Sequence, residues 1–303
     1  MTNMTLLQQK LKEQLPGVAL KFGEPLSEHT SFRIGGPAEV MAFPDSREAL
    51  SAVLKTSRLL DITPVILGAG TNVLAPDGGI PGLVVCLKDC LDGMEIVEET
   101  SLRVMGGVTM SRAAVFAANH GLSGMEFAHG IPGTVGGGVY MNAGAYGGEI
   151  CQICREVEVM DLSGGIHTYT ADEMAFSYRH SVLEDRGGIV VSALFELTKD
   201  DPEAIRGKMK ELMAKRSASQ PLDMPSAGSA FKRPVGGFAA ALIDQSGLKG
   251  FQVGGAGISV KHAGFAVNVG GATAEDVKNL LTQVSDIVFE KHGIRLEPEI
   301  RIW

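Results

Sequence analysis

Apolar residues alternate between short strand-like runs and helical spacing over the first 217 residues of the chain. Apolar positions recur every three or four residues over 46–60, where Ser46 and Glu48 suit a helix start. Further helices are predicted over 111–119, ending at Gly121, and from Pro202, which suits an early helical position, to about residue 217. Strands are predicted over 38–44, 64–67, 83–87, 102–105, 155–161, 167–170 and 189–197.

The pattern changes after residue 217 to a smaller α+β arrangement. Strands are predicted over 230–232, 265–269 and 294–303, and helices over 237–245 and 273–291, the latter with acidic residues in its first turn. We therefore expect an N-terminal helix within 1–19, a first domain over 20–216 with subdomains of about 20–95 and 96–216, and a second domain over 217–303. The length of 303 residues also favours two domains.

Composition and charge narrow the class of protein. Glycine supplies 39 of 303 residues, about 13%, against roughly 7% in an average protein. Because 45% of the residues are hydrophobic and no G-X-Y period occurs, the excess indicates neither disorder nor collagen. A net charge of -8, with no basic run longer than Lys215-Arg216, argues against nucleic acid or an anionic membrane as partner. With no signal pattern or membrane-length apolar run, we predict a cytoplasmic protein.

The cysteines form two close pairs, Cys86 with Cys90 and Cys151 with Cys154. The second pair has the spacing of zinc ligands, whereas the first is wider and begins in an apolar strand-like run. A zinc site is therefore one alternative, and reduced thiols in a cytosolic protein are the favoured one. The histidines show no ligand spacing with one another or with cysteine, so we predict no metal.

The first glycine cluster directly follows the predicted strand 64–67. Consecutive amides in the turn Gly68-Ala69-Gly70-Thr71-Asn72 can form a concave anion site, and Thr71 and Asn72 add side-chain donors. The dinucleotide fingerprint would require glycine at position 73, where the chain has Val73, and no clear helix follows. A Rossmann fold is therefore excluded, and an ordinary tight turn remains the structural alternative.

A second, longer cluster occupies residues 130–138 and 142–148. So much backbone without side chains, flanked by apolar residues, indicates a large ligand lying against it, and the alternative is an ordinary glycine-rich loop. Two such clusters in one domain favour a cofactor that carries phosphate.

The segments 66–72, 130–137 and 142–147 resemble the FAD-binding motifs of the UDP-N-acetylenolpyruvoylglucosamine reductases. The resemblance continues through 30–36, 178–181, 228–234 and 296–301, in the family's order and over nearly the whole chain. It implies an α+β fold, with a two-part FAD-binding domain of the vanillyl-alcohol-oxidase/PCMH type and a smaller α+β substrate-binding domain. The short stretch 178–190 matches the shorter subtype, which lacks the tyrosine loop.

The resemblance also implies a reaction. Members of this family reduce the enolpyruvyl ether of UDP-N-acetylglucosamine to UDP-N-acetylmuramate for peptidoglycan, using non-covalent FAD, whose N5 delivers the hydride, and NADPH. The residues implied for cofactor binding are Gly68, Ala69, Gly70, Thr71, Asn72, Gly130, Ile131, Pro132, Gly133, Thr134, Gly136, Gly137, Asn142, Ala143 and Gly144.

The resemblance assigns catalytic roles to three side chains. Arg179 is the cation that stabilises charge developing beside the substrate carboxylate, a protonated Glu299 supports it, and Ser229 delivers a proton to carbon. We expect Arg179 from the first domain, and Ser229 and Glu299 from the second, to meet at the flavin. Taken without the resemblance, Arg179 caps a strand end, Ser229 is a turn hydroxyl, and Glu299 is a solvated strand residue.

Four further residues have two alternative interpretations each. Tyr146 and Tyr178 line the sugar pocket or simply pack, and Lys232 and Arg233 face the UDP diphosphate or are exposed strand charges. His129 stands where a small residue is expected, and we predict no covalent bond from it to flavin. We expect a monomer or weak oligomer with small-molecule partners only. The alternative functions are an FAD-dependent alcohol or sugar oxidase of the same fold and a flavin- or nucleotide-sugar-binding module without catalysis.

Overall fold

The computed structural model describes residues 4–88 and 90–303. The chain divides into two compact units. The first unit contains the described chain up to Phe22, Glu39–Ala69 and Gly82–Lys215; the second contains Gly23–Ala38, Gly70–Pro81 and Arg216–Trp303. This division differs from the predicted one, because 23–38 and 70–81 belong to the second unit. The reason is packing: Phe32, Ile34 and Leu74 are buried in the core of that unit.

Several helices begin at a capping side chain. Ser46, Thr109, Thr134 and Thr273 each accept a hydrogen bond from a backbone N–H of the first turn. The helices are α1 (Leu6–Gln14), α2 (Arg47–Leu59), α3 (Met110–Asn119), α4 (Val135–Tyr140), α5 (Leu183–Arg186), α6 (Pro202–Ser219), α7 (Ala239–Gln245) and α8 (Ala274–His292).

The strands are short, and most belong to three sheets. They are β1 (Ala19–Pro25), β2 (Pro37–Phe43), β3 (Val65–Leu67), β4 (Val73–Leu74), β5 (Ile80–Cys86), β6 (Met94–Ile96), β7 (Ser101–Met105), β8 (Leu122–Ser123), β9 (Gly144–Ala145), β10 (Gly148–Glu149), β11 (Cys154–Met160), β12 (Ile166–Thr170), β13 (Ile189–Glu196), β14 (Thr198–Lys199), β15 (Ser226–Ser229), β16 (Gln252–Val253), β17 (Ala256–Ile258), β18 (Phe265–Asn268) and β19 (Arg301–Ile302).

The first unit is built around two sheets. One has the order β1-β2-β5-β3, with β3 and β5 parallel, and shares a core with the apolar face of α2. The other has the order β12-β11-β13-β7-β6 and is antiparallel throughout. Its strands share a second core with α3 and α4. These cores position the glycine-rich segments that follow β3 and precede α4.

The second unit packs α8 against a four-stranded antiparallel sheet of order β15-β18-β17-β16. Val277, Leu280, Leu281, Val284 and Val288 of α8 are buried in the shared core, at the spacing of one helical face. Asp77 accepts hydrogen bonds from the backbone N–H groups of Ala274 and Glu275, at 2.7 and 3.1 Å, and so helps to cap α8. Within the described residues, no helix is both long and apolar enough to cross a membrane.

Two predicted strands of the second unit differ from the observed ones. The strand expected at 230–232 is β15, which ends at Ser229. The strand expected over 294–303 is reduced to β19. Pro298 has no N–H to donate to a ladder, and Leu296 instead exchanges hydrogen bonds with the Ser285 hydroxyl at 3.0 and 3.2 Å. Only Arg301–Ile302 of this segment therefore forms a strand.

An unexpected helix, α4, lies inside the second glycine cluster. Its sequence, VGGGVY, has poor helix propensity. Thr134 caps it, and the glycines allow close packing: a Cβ on Gly138 would lie 2.8 Å from the Met110 sulfur, and one on Gly136 would lie 2.9 Å from the Gly106 carbonyl oxygen. Tertiary contact thus compensates for the weak intrinsic preference.

Candidate functional site

The first glycine cluster begins at the end of β3, and its conformation depends on Gly70. Gly70 has a φ of 63°, and a Cβ there would lie 2.1 Å from the His29 carbonyl oxygen. The Ser31 N–H donates to the Gly70 carbonyl at 3.0 Å. Only glycine can occupy this position, because the left-handed conformation and the close backbone contact both exclude a side chain.

The two glycine clusters adjoin within the first unit. A Cβ built on Gly68 would lie 3.2 Å from the Thr134 hydroxyl oxygen, and the same oxygen accepts the Gly137 N–H at 3.3 Å. Gly68, Ala69, Gly133 and Gly136 are half-buried, and Gly137 is exposed. The two segments therefore present accessible backbone with little side-chain cover, which fits a cofactor lying against peptide groups as FAD would.

Some of the glycines allow close packing within the protein itself. A Cβ on Gly144 would lie 2.7 Å from the Cβ of Glu149, and one on Gly148 would lie 2.5 Å from the Phe127 ring. Together with Gly136 and Gly138, these glycines are explained by close contacts inside the first unit. Close packing thus explains part of the glycine excess, and the predicted cofactor contacts concern backbone that stays accessible.

Asn142 is 1% exposed and makes three side-chain hydrogen bonds within the protein. Its amide nitrogen donates to the Glu149 carboxylate at 2.9 Å and to the Ser177 carbonyl at 3.0 Å. Its amide oxygen accepts the Cys151 N–H at 2.9 Å. The side chain predicted to contact the cofactor is therefore engaged with its own loop and with the turn that carries Arg179.

Arg179 lies at the tip of a tight turn in which Ser177 and His180 exchange backbone hydrogen bonds of 3.1 and 3.2 Å. Its φ is 55°, an unusual left-handed conformation for arginine. The guanidinium donates to the Gly144 carbonyl at 3.0 Å and lies 5.0 Å from the centre of the Tyr178 ring. It is thus oriented by the glycine-rich loop and by its neighbour before any ligand binds.

Ser229 follows a β-bulge. In the antiparallel pair β15–β18, Ser226 lies opposite Val267 and Ser229 lies opposite Phe265, so β15 contains one additional residue. Gly228, within the bulge, has a φ of 78°. A bulge redirects the side chain that follows it, and the Ser229 side chain is exposed rather than packed in the core.

Glu299 lies beside this strand end within the second unit. Its N–H donates to the Ala230 carbonyl at 2.9 Å, and its own carbonyl accepts the Asn72 side-chain amide at 3.4 Å. The Arg301 N–H donates to the Asn72 carbonyl at 2.9 Å. These hydrogen bonds therefore link the predicted cofactor residue Asn72 to the backbone near the predicted catalytic residues Ser229 and Glu299.

The remaining predicted substrate residues are exposed or partly exposed. Tyr146 and Tyr178 are each 46% exposed, and Tyr146 has a φ of 54°. Lys232 lies 3.5 Å from the Glu297 carboxylate, and the Arg233 guanidinium lies 4.7 Å from the centre of the exposed Phe238 ring. Of these residues, Tyr178 lies beside the Arg179 guanidinium, whereas Lys232 and Arg233 follow Ser229 along the chain.

His129 and the cysteines show no metal-site geometry. The Nδ1 atom of His129 lies 3.3 Å from the Ser111 hydroxyl. Burial raises the pKa of Cys90 to about 11 and that of Cys154 to about 12, so both thiols stay protonated near neutral pH. Among residues 4–88 and 90–303, no three His, Cys, Asp or Glu side chains are arranged to hold a metal ion.

Sequence reasoning did not identify Glu149, which orients Asn142, or the bulge that directs Ser229. Glu149 and Gln152 form a capping box around the short 3₁₀ turn Ile150–Gln152, and that pattern is present in the sequence. Gly228 immediately before Ser229 was the only sequence signal for the bulge, and a lone glycine has many other causes.

Curated relatives match the chain over nearly its full length. It is 46% identical over 297 residues to the UDP-N-acetylenolpyruvoylglucosamine reductase of Caldanaerobacter subterraneus, covering 98% of each chain. It is 44% identical to that of Lactococcus lactis, covering 96% of each. The crystal structure of the Thermus caldophilus enzyme superimposes with a TM-score of 0.77 at 36% identity, covering 94% of this chain and 98% of that one.

Two family models match separate parts of the chain. A model described as an FAD binding domain matches residues 38–170, which include both glycine clusters. The fold and site define an FAD-dependent oxidoreductase of mixed α and β structure with an FAD-binding domain, as predicted. The second model, the C-terminal domain of UDP-N-acetylenolpyruvoylglucosamine reductase, matches residues 220–303. The chain belongs to the UDP-N-acetylenolpyruvoylglucosamine reductase family, which acts in peptidoglycan synthesis.

Proposed function

We propose that this chain reduces UDP-N-acetylenolpyruvoylglucosamine with NADPH as the hydride donor, and that Arg179, Glu299 and Ser229 act on the substrate. Bound FAD supplies the hydride through its N5 atom. The protein must then bind the substrate, stabilise the negative charge that develops beside its carboxylate, and deliver one proton to carbon.

In this proposal Arg179 binds the substrate carboxylate. A guanidinium offers paired N–H donors in a plane, which matches the two oxygens of a carboxylate. Its hydrogen bond to Gly144 and its contact with Tyr178 support a preorganised orientation. Because a preorganised cation does not need to rearrange as charge develops, it stabilises the transition state more than the bound ground state.

Ser229 delivers the proton to carbon, and Glu299, in its acid form, donates a hydrogen bond to the developing charge. A serine hydroxyl holds its proton tightly, so it suits a strongly basic, carbanion-like acceptor. The exposed Ser229 side chain after the bulge is available to a ligand. The hydrogen bond from Glu299 N–H to the Ala230 carbonyl, at 2.9 Å, keeps these two residues on neighbouring backbone and is the observation that carries this assignment.

The nucleotide part of the substrate is assigned to Lys232 and Arg233, and its sugar to Tyr146 and Tyr178. Arg233 can bind two oxygens of a diphosphate, whereas Lys232 offers a compact charge. The exposure of both tyrosines supports contact with a ligand. The glycine-rich segments 68–72, 130–137 and 142–144 are assigned to FAD, held without a covalent bond, and at Asn142 the backbone rather than the side chain would contact it.

We infer a cytoplasmic enzyme that is a monomer or weak oligomer and binds small molecules rather than nucleic acid or membrane. The net charge of -8 supports the lack of affinity for polyanions.

A steady-state assay tests this function. Oxidation of NADPH should depend on the enolpyruvyl UDP-sugar, and mass spectrometry should find a product with two additional hydrogens. Hydrogen peroxide formed at a catalytic rate from an alcohol or sugar would instead establish an oxidase of the same fold. Binding of FAD and UDP-sugar without turnover would establish a non-catalytic module.

A further inference from the structure

We propose that Asn142 is a positioning residue for Arg179: its buried amide fixes the turn that presents the guanidinium to the substrate carboxylate. This inference rests on the proposed role of Arg179, and it replaces a direct contact between the Asn142 side chain and the cofactor. It concerns only residues of the first unit.

The partners of Asn142 determine which way its amide points. Two of them, the Glu149 carboxylate and the Ser177 carbonyl, only accept hydrogen bonds, and the third, the Cys151 N–H, only donates. The amide nitrogen must therefore face Glu149 and Ser177, and the oxygen must face Cys151. An aspartate of the same size would place negative charge against two acceptors, so the site selects asparagine specifically.

Hydrogen bonds are donated from the glycine-rich loop to the Arg179 turn and from that turn back to the loop. The Asn142 side chain donates to Ser177, the first residue of the turn, at 3.0 Å. In return, the Arg179 guanidinium donates to the carbonyls of Gly144, at 3.0 Å, and of Asn142 itself, at 3.5 Å. A shift of the turn relative to the loop therefore moves the guanidinium directly.

The backbone conformation of Asn142 also favours this residue type. Its φ is 42°, in the left-handed region where asparagine is tolerated far better than most residues. Asn142→Gly is consequently the informative variant, because glycine adopts the same backbone conformation and removes the Cβ and the amide without adding a new group. Asn142→Asp is the second variant; it preserves size and the acceptor for Cys151 but removes both donors.

The experiment measures the two half-reactions separately in the FAD-loaded protein. We expect NADPH to reduce the flavin of Asn142→Gly and Asn142→Asp at nearly the wild-type rate. Reoxidation by the enolpyruvyl UDP-sugar should slow by about 10–100-fold, the loss typical of misplacing a catalytic group by about 1 Å. Calorimetry should show weaker binding of that substrate, with unchanged binding of UDP-N-acetylglucosamine, which lacks the carboxylate.

A double-mutant cycle shows whether Asn142 acts through Arg179. Combining Asn142→Gly with Arg179→Ala should slow reoxidation no further than Arg179→Ala alone. Gln152→Ala is the matched control: it removes hydrogen bonds to Gly147 and Glu149 in the same loop but none to the turn, and it should leave both half-reactions unchanged.

Three results would overturn the positioning role: equal loss in both half-reactions, multiplicative effects in the double mutant, or loss of FAD from both Asn142 variants. Wild-type reoxidation in Arg179→Ala is a different result, since it would refute the proposed role of Arg179 itself.

Discussion

Three residues other than glycine that are assigned to the cofactor or substrate have left-handed backbone: Asn142, Tyr146 and Arg179, with φ angles of 42°, 54° and 55°. Such conformations cost about 1–2 kcal/mol for residues other than glycine and persist only where surrounding contacts fix them. Here the buried Asn142 amide and the Arg179 contacts to backbone carbonyls supply those contacts. At the scale of the residue, the backbone strain at Asn142 and Arg179 lies where we propose that the substrate carboxylate binds.

Replacing Ser229 with alanine tests the proton donor. Flavin reduction by NADPH should remain nearly unchanged, because no proton from Ser229 is needed in that step. Reoxidation by the enolpyruvyl substrate should slow by about 10²–10⁴-fold, the range typical of a lost general acid. Rapid-mixing absorbance of the flavin measures both rates, and equal losses in the two steps would reject the assignment.

At the scale of the element, the bulge in β15 and the turn at 177–180 determine where functional side chains point. Both are local departures from regular structure. In each, a residue with positive φ, Gly228 or Arg179, allows a geometry that a regular strand would not provide. The regular elements hold these departures in place through the sheet pairing of β15 with β18 and through the loop contacts of the turn.

Gly228→Ala tests the bulge. A Cβ on Gly228 would have no neighbour within 4 Å, so the cost comes from the backbone alone, about 1–2 kcal/mol of unfolding free energy at a φ of 78°. Urea denaturation measures this loss, and slower substrate reoxidation should accompany it. Gly207→Ala in α6, which also has open space around the added Cβ, should instead stabilise the protein by about 0.5–1 kcal/mol. Equal stability of the Gly228 variant and the wild type would contradict the account.

The hairpin β11–β12 carries a pH-dependent contact. Hydrogen bonds from Ser163 and from His167 hold the pKa of Asp161 well below its usual range. Because the folded-state pKa is depressed, the stabilisation is present above the unfolded value of about 3.9 and is lost as pH falls towards the folded one. Asp161→Asn should lower Tm at pH 7, and the difference should shrink below about pH 4. Asp172→Asn, an exposed aspartate after the same hairpin, is the control; a difference that grew on acidification would refute this assignment.

Helices α2, α6 and α8 were predictable, because apolar spacing and capping residues specify them locally. Helix α4 was not, since its stability depends on Gly138 packing against Met110, 28 residues away along the chain. Strand β19 was predicted too long because its pairing with Val73 and Leu74 involves residues more than 200 positions away. The glycine clusters predict where FAD binds and lie inside the matched FAD-binding domain, whereas the Asn142 hydrogen bonds depend on tertiary structure and carry no sequence signal.

At the scale of the whole molecule, the second unit is assembled from three separate chain segments. The segments 23–38 and 70–81 contribute Phe32, Ile34 and Leu74 to a core otherwise formed by the last third of the chain. The cofactor motif is continuous along the chain across this division, with Gly68 and Ala69 in the first unit and Gly70 to Asn72 in the second. The boundary between the two packing units therefore falls inside the first cofactor motif, between Ala69 and Gly70.

The central claim is that flavin carries reducing equivalents from NADPH to the enolpyruvyl UDP-sugar. The most direct measurement is the absorption spectrum of the FAD-loaded protein without oxygen, during successive addition of NADPH and substrate. We predict that NADPH bleaches the flavin and that one equivalent of substrate restores its colour, with the reduced UDP-sugar as product. A flavin that NADPH does not bleach, or one that regains its colour only when oxygen is admitted, would contradict the account.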